Sequence, residues 1–509
     1  MLDTILTEEI TSYKDLEEKV FRISMEIGRA IMQKILQEQA QILDETRDKS
    51  IYRNKGNRKT VIKTKLGEVE YERPMYLLNK EKQKETGKKC IYLLDQMLEI
   101  NKFGKISENL VDVMISNITE LSYRKSAENI SNLTGQTITG MGVWNVIQTV
   151  GSQIQKYEKE KVEAHEKDNL ACGTKISKTI YQEADGIMIY LQGKDRKQKI
   201  ENFKKQYPDI EVPKCIRNIE LRLGMTYEAW KKVGTNRYEL TGKEYVAGFM
   251  SGEDMSKITN ANLHSKYNMN QVEIRVLNGD GANWITRLAS YDTIQQVDAY
   301  HVRSKIYERV RDRSDADILI EMFWKRQYAK MLEYIEELKY KYDGEEIEVE
   351  KLDRLKQFLS RRKHQLSRYK NYPGIKKKLE KMKKETGLSY RNMGVQESNN
   401  YCKITRRFKR RRMSWSIRGA NNLSKVIAMH SSESCTEIAS RLDLKLLPTE
   451  MIESAEKYIK QIEENIKQVQ EIKIKPKKTY TGKQATISQN YPNMLKMLKD
   501  KPFSEIIYT

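Results

Sequence analysis

Between residues 179 and 297, short runs of β-branched and aromatic residues alternate with stretches of helical period, and long helical stretches flank the whole zone. Such a pattern predicts a mixed α/β core inside a helix-rich protein. Residues 179–185 and 187–191 read as two strands around an Asp185-Gly186 turn. The segments 219–227 (IELRLGMTY), 245–250 (YVAGFM), 272–277 (VEIRVL) and 294–297 read as further strands. Helical spacing covers 254–267 and 301–311. Only 8 prolines occur in 509 residues, which argues against long extended linkers.

The flanks divide by period. In 1–50, Leu16, Val20, Ile23, Ile27, Ile31 and Ile35 mark one amphipathic helix suited to packing or self-association. Region 51–104 contains an alternating run, 59–76, turned at Gly67, which reads as a β-hairpin. Region 105–155 holds three helical pieces, 106–118, 123–133 and one capped by Thr139, with Gly135 in the turn before the last. That layout fits a helix-turn-helix DNA-binding region as well as it fits plain packing. Arg124 and Lys125 lie near its turn and are candidate DNA contacts. The α/β core occupies 175–314 and resumes at 385–430 with a basic helix at 399–412. Between them, 315–384 is a charged, all-helical insertion. A basic region, 431–509, ends the chain.

Charge narrows the partner. Ninety-three Lys and Arg stand against 71 Asp and Glu, a net +22, which favours a polyanion such as nucleic acid. The apolar runs are strand-sized, so no bilayer-spanning segment and no membrane partner is expected. The first residues, MLDTILTEEI, carry acids where a signal peptide carries basic residues, so a cytoplasmic, nucleoid-associated protein is expected. Cys90, Cys172, Cys215, Cys402 and Cys435 form no CxxC pair, which fits reduced thiols and excludes a disulfide framework.

Three acids carry the chemistry. Asp185 lies in EADGIMIYL, Asp280 in RVLNGDGANW directly after a strand, and Glu397 in MGVQESNNY one helical turn before the apolar line Tyr401, Ile404, Phe408. Glu397 would face inward, while Lys403, Arg406, Arg407, Arg410, Arg411 and Arg412 offer a basic surface for DNA phosphates. Converging carboxylates can hold two Mg²⁺ ions about 4 Å apart, with Mn²⁺ as substitute, for phosphodiester cleavage. Singly, each acid reads as a turn or helix-start residue. In the order Asp–Asp–Glu they read as a site.

The blocks SYRKSAENISNLTGQTIT, EADGIMIYLQGK, RVLNGDGANWI, VDAYHVRSKI and RRMSWSIRGANNLSK resemble the ISLre-type bacterial insertion-sequence transposases, relatives of the Mutator-like DDE transposases, over residues 15–430. The resemblance implies a ribonuclease H-like catalytic domain with an all-helical insertion, behind a helix-rich N-terminal region. It implies Asp185 on the first strand, Asp280 after the fourth, and Glu397 on a later helix, with Glu385 and Glu433 as fallbacks. Asp298 and His301 match the family's Cys-or-Asp-x-x-His motif and would support the site. The implied activity is metal-dependent cleavage and strand transfer of double-stranded DNA at terminal inverted repeats, by a homodimer or higher oligomer. An inactive or domesticated DNA-binding protein and a structure-selective nuclease of the same fold are the rivals.

Overall fold

The computed structural model describes residues 12–100, 104–394, 404–409 and 413–432. Helix α1 (Tyr13–Thr46) is capped by Ser12, whose side chain accepts from the Asp15 N–H. Its Leu36 and Ala40 are buried against a hairpin, whereas Val20, Ile27, Ile31 and Ile35 are exposed. The hairpin, β1 (Tyr52–Thr64) and β2 (Gly67–Leu78), is longer than its clean alternation suggests, and β3 (Cys90–Ile91) adds to β2. Gly67 turns it at φ +105°, a conformation open to glycine.

Helices α2 (Glu108–Glu120), α3 (Tyr123–Thr134) and α4 (Gly140–Glu166) follow. Ser107, Ser122 and Thr139 each accept a first-turn N–H, and Gly135 closes α3 in the left-handed region. Helix α4 runs past residue 155, so the boundary expected there falls inside a helix.

Strand β4 (Thr179–Leu191) opens the main sheet, followed by α5 (Gly193–Gln206), β5 (Asn218–Tyr227), a separate ladder of β6 (Ala229–Lys232) and β7 (Tyr238–Thr241), and β8 (Glu244–Gly248). Helix α6 (Gly252–Lys266) leads to β9 (Ile274–Gly279) and β10 (Thr293–Val297). The spatial order is β10-β9-β4-β5-β8. Strands β4, β9 and β10 are parallel, while β5 is antiparallel to both β4 and β8.

One expectation is corrected here. Strand β4 does not turn at Asp185-Gly186: Asp185 pairs with Leu223 and Gly186 with Arg222, in a ladder running from Tyr181 to Tyr190. The continuous pairing to β5 overrides the local turn tendency of Asp-Gly.

After β10 come α7 (Ala299–Arg309), α8 (Arg313–Trp324), α9 (Tyr328–Lys341), α10 (Glu346–Arg361) and α11 (Ile375–Thr386). Val302, Ile306, Leu319, Ile335, Leu355 and Leu366 form a separate core. The helical insertion thus begins with α7 and ends near Leu366, not at 315–384, because Tyr369, Leu379 and Met382 pack into the main core.

The chain returns through β11 (Ser414–Trp415), parallel to the end of β4, and α12 (Ile417–Ser431). Helix α12 lies tightly on α4: a Cβ on Gly151 would fall 2.5 Å from the Asn422 Cβ, and the Asn422 amide donates to Gln148 Oε1 at 2.8 Å. Helices α2–α4 therefore share one core with the sheet rather than forming a detached region. Among the described residues, no helix is long and apolar enough to cross a membrane.

Candidate functional site

Where β4, β9 and β10 pair in parallel, their ladders stop in step, although β4 itself runs on to Leu191 along β5. Ala184 pairs with Gly279, and Gly279 with Val297. The next residues are Asp185, Asp280 and Asp298. Adjacent strands lie about 4.8 Å apart, so three aspartates line up across the sheet just past the parallel ladders. Two residues earlier, Glu183, Asn278 and Gln296 occupy the rung below, on the same face by the two-residue period of a strand. Here the side chains are tied together. Asn278 Nδ2 donates to Glu183 Oε2 at 3.4 Å and to Asp298 Oδ2 at 3.0 Å, and Gln296 Nε2 donates to Asn278 Oδ1 at 3.0 Å.

Glu183 is fully buried. Tyr227 Oη donates to its Oε1 at 2.6 Å, and the Gly394 N–H approaches both carboxylate oxygens at 3.3 Å. Burial, with the Glu183 charge beside it, holds the Tyr227 phenol well above its usual range, so it stays a donor. This rung is a polar floor under the aspartates.

Asp185 is half-buried, and its Oδ1 accepts from the Gly186 N–H at 2.8 Å. Burial raises its pKa; the Asp280 charge adds to the rise, while the Gly186 N–H, His301 and Lys409 oppose it. Asp280 Oδ1 accepts from the Ala282 N–H at 2.7 Å, over a turn in which Gly281 adopts φ +83°. Asp298 caps α7 by accepting from the Tyr300 N–H at 2.8 Å. One turn into that helix, His301 joins Asp185, Asp298, Glu183, Asn278 and Gly394 around a narrow cleft.

The sequence-derived residues divide accordingly. Asp185, Asp280, Asp298 and His301 come together. Glu397, Lys403, Arg410, Arg411, Arg412 and the fallback Glu433 lie outside the described residues. Glu385 is remote, paired with Lys178 at 2.6 Å. Arg124 and Lys125 are exposed at the start of α3, Lys125 within 2.9 Å of Glu128. Arg406 is exposed, 3.5 Å from Glu120. Arg407 corrects the expected basic face: it is buried, donates Nε to the Ile118 carbonyl at 2.9 Å, and lies between the Tyr123 and Trp415 rings. The helix packs that side onto α2, so Arg407 is committed to the interior.

Among the described residues, no group of three or more His, Cys, Asp or Glu side chains is arranged to hold a metal. Asp185 and Asp280 nevertheless offer suitable donors. Each spends one oxygen on a backbone N–H and presents a second hard oxygen beside the other's charge.

Sequence reasoning missed Glu183, Asn278 and Gln296. The signal was available as a repeat: Glu-Ala-Asp, Asn-Gly-Asp and Gln-Val-Asp, a polar residue two before each aspartate.

The profile of the uncharacterised protein family UPF0236 matches residues 6–203 and 213–438, most of the chain and all of the site's elements. The chain belongs to the UPF0236 family. Similar UPF0236 proteins come from Caldanaerobacter subterraneus subsp. tengcongensis. One is 26% identical over 284 residues, covering 55% of this chain and 50% of the relative, and its name strings together eleven locus designations. A second is 26% identical over 287 residues, with 55% and 50% covered, and its name carries four. The chain spans about half the length of these UPF0236 relatives.

Proposed function

We propose that the chain is a DNA transposase of the ISLre type, related to the Mutator-like DDE transposases, with a ribonuclease H-like catalytic domain. The observation that carries this reading is the placement of Asp185 and Asp280 one residue beyond paired positions on adjacent parallel strands. Asp185 stands on the first strand of a five-strand run and Asp280 just after the fourth, with a helical insertion after the fifth. A net charge of +22 suits a DNA substrate. A name that strings together eleven locus designations, as the first relative's does, supports a self-copying element.

In this reading Asp185, Asp280 and Glu397 hold the metal ions. Gly394, three residues before Glu397 in sequence, is anchored at Glu183, two residues before Asp185. When bound, Mg²⁺ or Mn²⁺ supplies a Lewis acid and an activated water or 3′-hydroxyl. The protein's own part is positional. The Glu183–Asn278–Gln296 floor ties the three strands together beneath the aspartates, Asp298 fixes the start of α7, and His301 sets a ring beside Asp185. The exposed line Val20, Ile27, Ile31 and Ile35 on α1 offers a second copy a seam.

The test is strand transfer of element ends by the full chain with Mg²⁺ or Mn²⁺. Wild type should cut and join, and Asp280→Asn should bind DNA without cutting. Cutting without joining would make it a nuclease; normal cutting by Asp280→Asn would remove the site.

A further inference from the structure

The helical insertion presents a second charged feature beside the Asp280 turn. Between α7 and α10 lies a cavity of about 230 Å³ lined by Arg309, Arg354, Arg361, Arg362, Phe358 and Asn283. No acid lines it. Phe358, one of the lining residues, carries the Lys305 Nζ 4.6 Å from its ring centre.

These arginines are not equivalent. Arg362 is structural: its Nε donates to the Gly281 carbonyl at 2.9 Å and its Nη2 to Asn283 Oδ1 at 3.0 Å. It thus ties the insertion to the turn that follows Asp280. Arg354 is paired with Glu350. Other insertion arginines are also matched, Arg311 with Glu345 at 2.8 Å and Arg313 with Asp317 at 3.7 Å. Arg309 and Arg361 have no carboxylate partner among the described residues. Unneutralised guanidinium groups gathered in one cavity repel one another, and an arriving anion relieves that repulsion. Arginine's planar fork matches a phosphate with two parallel hydrogen bonds.

We propose that Arg309 and Arg361, backed by Arg362, grip backbone phosphates of a DNA strand that leads away from the Asp185 cleft, past the Asp280 turn, across the insertion. The proposal rests on the reading of that cleft as a DNA-processing site and names where the strand goes next. Phe358 forms the wall the strand lies against, and Arg362 keeps the pocket in fixed relation to the turn after Asp280.

The test uses the full chain and a DNA duplex, with affinity measured between 50 and 250 mM salt without divalent ions. Removing two phosphate contacts in an Arg309→Ala, Arg361→Ala double variant should weaken binding about tenfold or more and reduce the slope of log affinity against log salt by about 1–2. An Arg309→Lys, Arg361→Lys double variant should recover most of the slope. Circular dichroism melts matching wild type would show that both variants fold. Unchanged slope and affinity in the alanine variant, with Asp280→Asn still abolishing cutting, overturns the pocket and spares the catalytic reading. A reduced slope with normal cutting by Asp280→Asn supports the pocket and overturns the catalytic reading.

Discussion

The backbone N–H of Gly394 reaches both carboxylate oxygens of Glu183, at 3.3 Å each, across 211 residues of sequence. That carboxylate also accepts from the Tyr227 hydroxyl and the Asn278 amide. Glu183→Gln turns one acceptor oxygen into a donor facing donors. It should cost about 1–3 kcal/mol of stability, read by urea denaturation, whereas Tyr227→Phe should cost nearer 1 kcal/mol. A Glu183→Gln midpoint equal to wild type would remove the floor's structural role.

The pKa of Asp185 gives a pH signature in the absence of divalent ions. Its folded-state pKa is raised, first by burial and then by Asp280. The folded protein therefore binds more protons than the unfolded chain between the ordinary and the raised value, and stability falls as pH rises through that window. Asp185→Asn removes the ionisation. In EDTA at neutral pH it should match or exceed wild type in melting temperature, and that gain should disappear well below the ordinary carboxylate range. A gain that grows on acidification contradicts this.

Arg407 separates structure from DNA contact. Burial pushes its pKa down, and its Nε–H is spent on Ile118. Arg407→Ala should lose about 2–4 kcal/mol of stability through the unpaired carbonyl and the lost ring contacts. Thermal melts would register this whether or not DNA is present. A variant that melts like wild type but binds DNA weakly would return Arg407 to the surface.

Gly151 tests the seam between α4 and α12. Its missing side chain leaves room for the Asn422 backbone, whose carbonyl oxygen would be 2.6 Å from a Cβ. Gly151→Ala should cost about 2–3 kcal/mol despite alanine's better helix propensity. A stabilised variant would mean that the two helices separate easily.

The strands and the two aspartate blocks were legible because their signals are local. Val-Glu-Ile-Arg-Val-Leu advertises β9, and Gly-Asp-Gly marks the tight turn after it. The continuity of β4 through Asp185-Gly186 was not legible, since it depends on partners in β5. The span of α4 was hidden by its charged second half, although Ile154 still faces the core. Arg407 misled because a helical wheel shows which residues share a side, not which side a neighbour covers. Glu183 went unread for a related reason: a buried acid is explained only by Tyr227, Asn278 and Gly394, which lie far from it in sequence.

The order of synthesis follows from the long return of the chain. Asp185 and Asp280 leave the ribosome early, but Gly394 and the Ser414–Trp415 strand that closes β4 emerge only after the whole insertion. A product that stops short of Gly394 has both aspartates and leaves Glu183 a donor short. Translation thus orders the assembly: the floor under the aspartates gains its Gly394 hydrogen bonds only after the whole insertion has emerged.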